Sequence, residues 1–138
     1  MSEAALAAQR LFDEGKNLEA MRAANAGLNR NPDDMAMLSV IARIVSHDSA
    51  HGLAYNLLRS SLRDPNMHNY AVFNNLGMAA SSVASSSGQE KFLEEADGVL
   101  SLAYTQNAGI EVTANLALIK LQKMELDEVE KFAIECLM

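Results

Sequence analysis

"EGKNLEAMRAANAGLNRNPDD", residues 14–34, carries a glycine, an alanine-rich helical stretch and a break at Asn31-Pro32-Asp33-Asp34. Pro32 cannot continue a helix, and an aspartate can accept backbone N–H bonds at the start of the next one. Before this stretch Ala4, Ala8, Leu11 and Phe12 fall on one face of a helix that Gly15 ends, and Leu18, Met21, Ala24 and Leu28 mark a second face. The segment is therefore read as two helices with a tight turn between them.

The same unit recurs. Residues 37–66 repeat it, with a break at Ser46–Ser49 and a stop at Asp64-Pro65. "FNNLGMAA" (73–80) and "VTANLALI" (112–119) begin two further helices, which "FLEEADGVLSLAYTQNAG" (92–109) and "LDEVEKFAIECL" (126–137) partner. Small residues set the register: Ala8, Ala42, Gly77 and Ala117 at one position, Ala20, Ala54, Ala96 and Val129 at another. The first interval in both series is 34 residues. A helix pair repeating at that period is the signature of a tetratricopeptide array, in which no pair buries its apolar face alone.

The chain resembles the tetratricopeptide repeat family over nearly its whole length, with four repeats at about 1–34, 35–67, 68–109 and 110–138 in a single domain. Phe73, Leu76 and Gly77 of "FNNLG" stand where the family has Trp, Leu and Gly, and "EGKNLEA", Pro32 and "LDEVEKFAIECL" match other parts of the motif. Ala4 and Leu38 replace the first-helix aromatic in repeats 1 and 2, and Val129 replaces the usual alanine in repeat 4. The resemblance implies an all-α, right-handed solenoid of antiparallel helix pairs, about eight helices in all. Repeat 3 departs in length: Gly77 and Ala96 are 19 residues apart where Ala8–Ala20 and Ala42–Ala54 are 12, so seven are added. Two longer helices and a Ser-rich tip at 81–88 are expected, with Ser87-Gly88-Gln89-Glu90 read as a capping box.

Composition agrees with an all-α reading. Hydrophobic residues make up 49% of the 138, enough for a core, while aromatics are only 5% and Trp is absent. The net charge of −7 argues against nucleic acid as ligand, which needs a basic face. All six Arg lie in the first half, and residues 70–138 carry four cations against ten acids, so the second half is read as a solvated acidic surface. One cysteine, Cys136, excludes an internal disulfide. No basic leader precedes an apolar run and no run is long enough for a membrane helix, so no membrane association and a cytoplasmic location are expected.

Chemistry is sparse. His47 and His51 are four apart, but Asp48-Ser49 between them reads as an interhelical turn, and His68 begins another repeat. Cys136 sits at a small-residue position that suits a buried thiol. Glu94, Glu95, Asp97, Asp127, Glu128 and Glu130 read as exposed acids of early helix turns. No glycine-rich phosphate loop occurs. No cofactor, no metal and no catalysis by this chain are expected.

The resemblance places a partner-binding groove on the first helices of successive repeats. Carried over in register, it comprises Gln9, Phe12 and Asp13, then Ser39, Arg43 and His47, then Asn74, Asn75, Met78 and Ser81, then Glu111, Ala114, Asn115, Leu118 and Gln122. Asn75 and Asn115 match positions where the family commonly has an Asn that holds a ligand's backbone. Ala5, Val40 and Ala71 replace the clamp residues of the chaperone-binding subclass, so a terminal carboxylate is not the expected ligand. The implied function is a scaffold or adaptor that binds a peptide or helical segment of a protein partner. Alternatives are the recognition or oligomerisation domain of a longer enzyme such as a transferase, and a chaperone for a secreted or assembling client. No polar capping helix follows "AIECLM", so either Leu126, Val129, Phe132, Ala133 and Leu137 form a self-association face or the chain is a piece of a longer one.

Overall fold

The computed structural model describes residues 2–47 and 50–137, and all regular structure among them is helical. The order is α1 (Glu3–Asp13), α2 (Asn17–Arg30), α3 (Met35–His47), α4 (His51–Ser61), α5 (Tyr70–Ser87), α6 (Glu90–Gln106), α7 (Ile110–Gln122) and α8 (Leu126–Leu137), with a 3₁₀ turn at Pro65–Met67. Consecutive helices form the pairs α1/α2, α3/α4, α5/α6 and α7/α8. Asp48 and Ser49, expected at the turn between α3 and α4, lie outside the described residues.

The chain groups into two compact units, Met1–Met67 and His68–Met138. The division falls at the end of the second repeat. A repeat chain builds its core pair by pair, so two pairs already form a compact body.

Polar caps start several helices. Ser2 Oγ accepts the Ala5 N–H at 3.1 Å, Asp34 Oδ1 accepts the Met37 N–H at 3.1 Å, and Asn69 Oδ1 accepts the Val72 N–H at 3.1 Å. Asp34 also accepts the Ser2 hydroxyl at 2.6 Å, so the break after α2 joins the starts of α1 and α3. The expected capping box at Ser87–Glu90 does not form. Ser87 is the last residue of α5, Gly88 ends that helix at φ +70°, and Gln89 precedes α6 without a side-chain cap. Glycine's access to positive φ lets the chain reverse there before any cap can be used.

Two turns share one backbone design. After α1 the Gly15 N–H donates to Phe12 O and the Lys16 N–H to Leu11 O, and after α7 Met124 donates to Leu121 O and Glu125 to Lys120 O. The second residue of the turn is left-handed in both, Gly15 at φ +79° and Met124 at φ +61°.

Small residues sit where the helices approach closely. Ala8, Ala20, Ala42, Ala54 and Ala96 are fully buried, and Gly77 is buried against the Leu100 side chain. The seven added residues of the third repeat lengthen α5 to 18 residues and α6 to 17, against 11 to 14 elsewhere.

Candidate functional site

In the first unit the expected binding residues of α1 and α3 meet. The Phe12 ring lies edge-on to the His47 ring, centroids 5.6 Å apart, and the Arg43 guanidinium sits 5.9 Å from the Phe12 centroid. Phe12 is the hinge of the cluster because its π face attracts a cation while its ring still packs against an imidazole. Arg43 and His47 are exposed, so the patch offers donors on an aromatic floor. Gln9 Nε2 donates to Asp13 Oδ1 at 2.8 Å, one turn along α1. Ser39 is buried and does not reach this surface.

In the second unit a polar ladder links α5 to α7. Asn74 Nδ2 donates to Glu111 Oε1 at 3.1 Å, and Asn115 Nδ2 donates to Asn74 Oδ1 at 2.9 Å. Ser81 Oγ donates to Gln122 Oε1 at 2.8 Å along the same seam. A carboxylate can only accept, so Glu111 fixes which way both amides point. Asn74 is 6% exposed and serves as the internal rung rather than as a surface contact. Asn115, half-buried, has its NH₂ committed inward and its Oδ1 free as an acceptor. On α5 Asn75 and Met78 are half-buried, and on α7 Ala114 and Leu118 are exposed.

A charge cluster that sequence reasoning missed holds α6 to α7. Lys123 Nζ lies 2.7 Å from Asp97 Oδ2 and 3.2 Å from Glu94, while Lys120 Nζ lies 2.9 Å from Asp97 Oδ2 and 3.1 Å from Glu125. Asp97 reads in the sequence as an exposed acid, yet its side chain is 13% exposed, and those of Lys120 and Lys123 are 16% and 14%. The i, i+3 spacing of the two lysines aims both at one carboxylate. Burial by itself pushes the Asp97 carboxyl up, but the Lys123 and Lys120 ammoniums outweigh it and hold the group below its ordinary value. The bond to Asp97 raises Lys123; in Lys120 burial opposes the rise and its carboxylate partners override it.

On α8 the expected self-association residues separate onto two sides. Phe132 is 5% exposed, its ring edge-on to Tyr104 of α6 at 5.3 Å, so it belongs to the core and not to a free face. Val129 is half-buried, on the side of the helix that also carries Phe132 and Cys136. Leu126, Ala133 and Leu137 are exposed on the other side, joined by Ile134, which sequence reasoning did not single out. Helical spacing separates the two sets, since 126, 133 and 137 fall on one stripe and 129, 132 and 136 on another.

The histidines do not converge. His47 packs on Phe12, His51 Nδ1 lies 3.4 Å from Ser46 Oγ, and His68 packs on Phe73. Among the described residues no three His, Cys, Asp or Glu side chains gather as a metal site would require. Cys136 is half-buried, its Sγ 3.9 Å from Ile110 O. No described helix is long and apolar enough to cross a membrane.

No family model and no curated protein sequence matches the chain. Solved structures do. MamA (residues 41 to the end) from Desulfovibrio magneticus RS-1 superposes with TM-score 0.80 at 12% identity, over 97% of this chain and 72% of that one. TTC0263, a thermophilic TPR protein in Thermus thermophilus, gives 0.77 at 19% identity, over 97% and 71%. A mutant of the Thermobaculum terrenum O-GlcNAc transferase gives 0.68 at 24% identity, over 85% of this chain but only 21% of that one. At such identities the likeness is one of fold, that of the tetratricopeptide helical solenoid.

Proposed function

We propose that this chain, which has the fold of the tetratricopeptide proteins, is a protein–protein interaction module that holds a polypeptide segment on the faces of its first helices. The observation that carries this reading is the ladder from Glu111 through Asn74 to Asn115. Two buried or half-buried amides held in one orientation leave Asn115 Oδ1 as a fixed acceptor for a backbone N–H. A fixed acceptor loses little entropy on binding, which is the advantage of prior organisation. Asn75 of α5 offers both a donor and an acceptor to a peptide unit, and Met78 and Leu118 supply adaptable apolar contact. In the first unit Arg43 on Phe12 presents a guanidinium fork suited to a carboxylate or to peptide carbonyls. Recognition there is by backbone and charge, which fits a segment of a protein better than a small molecule.

The test is capture of partners from native lysate by wild type and by an Arg43→Ala, Asn75→Ala, Asn115→Ala variant of unchanged helicity, followed by affinity measurement on the partner identified. Loss of each neutral hydrogen bond weakens binding about tenfold. Retention of the same partner at equal affinity by the variant would overturn the assignment of these faces.

A further inference from the structure

We infer that the outward face of α7 and α8 is the seat of a helix from a separate polypeptide, apolar along one stripe and flanked by Lys or Arg. α7 has three sides. Val112, Leu116 and Ile119 face the core; Glu111, Asn115 and Gln122 lie on the side that bonds to α5; Ile110, Ala114, Ala117 and Leu121 form an outward stripe. A helix apolar on two sides is built to be covered on both. α8 packs on α7, and its own exposed stripe is Leu126, Glu130, Ala133 and Leu137, apolar apart from Glu130.

The chain itself shows what such a face takes. Within the first unit the pair α1/α2 is covered by α3, and within the second the pair α5/α6 is covered by α7. Beneath those covering helices the two register positions are closed: Ala8 and Ala20 are at 0% exposure, and Gly77 and Ala96 are buried. At the same positions of the last pair Ala117 and Val129 remain half exposed. The covering helix brings a flexible apolar tip to a small residue, as Met37 of α3 does at Gly27, where an added Cβ would lie 2.7 Å from Met37 Cε. An occupant of the α7/α8 face therefore needs Leu or Met at helical spacing.

Extent and charge select the kind of occupant. The stripes carry four large exposed apolar side chains, Ile110 at 73%, Leu121 at 47%, Leu126 at 59% and Leu137 at 87%, a patch on the order of a few hundred Å², short of the roughly 800 Å² per partner that a stable dimer buries. That footprint fits one amphipathic helix. Glu111 and Asp127 flank the stripes, Glu130 stands within that of α8, and Lys120 and Lys123 are already tied to Asp97, Glu94 and Glu125. Two copies pressed together through this face would set acids against acids, whereas Lys or Arg beside the partner's apolar stripe meets them with opposite charge.

The inference concerns a different surface from Arg43, Asn75 and Asn115, so either can fail alone. The experiment titrates the full chain with two synthetic amphipathic peptides that share a Leu stripe, one flanked by Lys and the other by Glu. The same titration is run on a Leu121→Ser, Leu126→Ser variant and on Glu130→Lys, all of exposed residues, with helicity checked by circular dichroism. We expect the Lys-flanked peptide to bind, to lose about tenfold or more in affinity in the double variant, and to weaken with Glu130→Lys. Equal binding by the double variant, equal binding of the Glu-flanked peptide, or no binding at all would overturn it. So would sedimentation showing a dimer of the chain that the double variant abolishes, which would give the face to a second copy.

Discussion

Met124 stands in a left-handed conformation that costs a side-chain-bearing residue about 1–2 kcal/mol, in a turn whose counterpart at Gly15 has a glycine. The two turns make the same pair of backbone bonds, so the sequence difference is a direct comparison of one conformation with and without a Cβ. Met124 is 72% exposed and contributes little packing that a replacement would lose. Met124→Gly is predicted to stabilise the chain by about 0.5–1 kcal/mol, the relief of strain exceeding the added chain entropy. Gly15→Ala is predicted to cost about 1 kcal/mol, although nothing lies within 4 Å of the new methyl, because backbone conformation alone opposes it. Denaturant melts of both variants check the pair; a stabilised Gly15→Ala would contradict the shared geometry.

At the scale of helices, the small-residue register tells apart two glycines that the sequence makes look alike. A methyl at Gly77 would lie 2.5 Å from Leu100 Cγ, the branch point of a fully buried side chain, whereas at Gly27 it meets the free end of Met37. Gly77→Ala in α5 is predicted to destabilise by about 1–2 kcal/mol after the gain in helix propensity, and Gly27→Ala in α2 to be near neutral. Equal thermal shifts for the two would rule out this account. The helix pairs, the longer α5 and α6 and the meeting of Phe12, Arg43 and His47 were legible because period and register project residues onto common faces. The ladder and the charge cluster were not. Asn74 and Asn115 are 41 residues apart and Asp97 and Lys123 are 26 apart, and nothing local in the sequence says that Asn74 turns inward or that Asp97 is covered. The capping box at Ser87 misled for the opposite reason: a correct local pattern lost to the glycine that ends α5.

Over the whole molecule, buried charge and net charge both concentrate in His68–Met138. Asp97 is held below its ordinary value of 3.8, so its contribution to stability is complete above that pH and is lost as pH falls through the lowered native value. Lys120 and Lys123 are raised above 10.5, so their contribution is complete below that pH and is lost as pH rises through the native values. The cluster is thus at full strength between about pH 4 and 10. In Met1–Met67 the Lys16–Glu14 pair is solvent-exposed and adds little. Hydrogen exchange on acidification is predicted to open α6 and α7 before α1 and α3. Asp97→Asn leaves two half-buried ammoniums under-paired and is predicted to cost about 1–3 kcal/mol near neutral pH, a deficit that shrinks toward pH 2. A deficit constant with pH would show that the ammoniums, not the carboxylate, carry the linkage.

Within each unit, every helix packs on a neighbour one or two helices away along the chain. Loop closure over such short spans costs little entropy, and the rate of folding follows the sequence distance of native contacts. Either unit can nucleate without waiting for the other end of the chain, and an α-helical topology of this kind completes in about microseconds to milliseconds. During synthesis the first pair, anchored by the bond from Ser2 to Asp34, is able to close while α5 is still being translated.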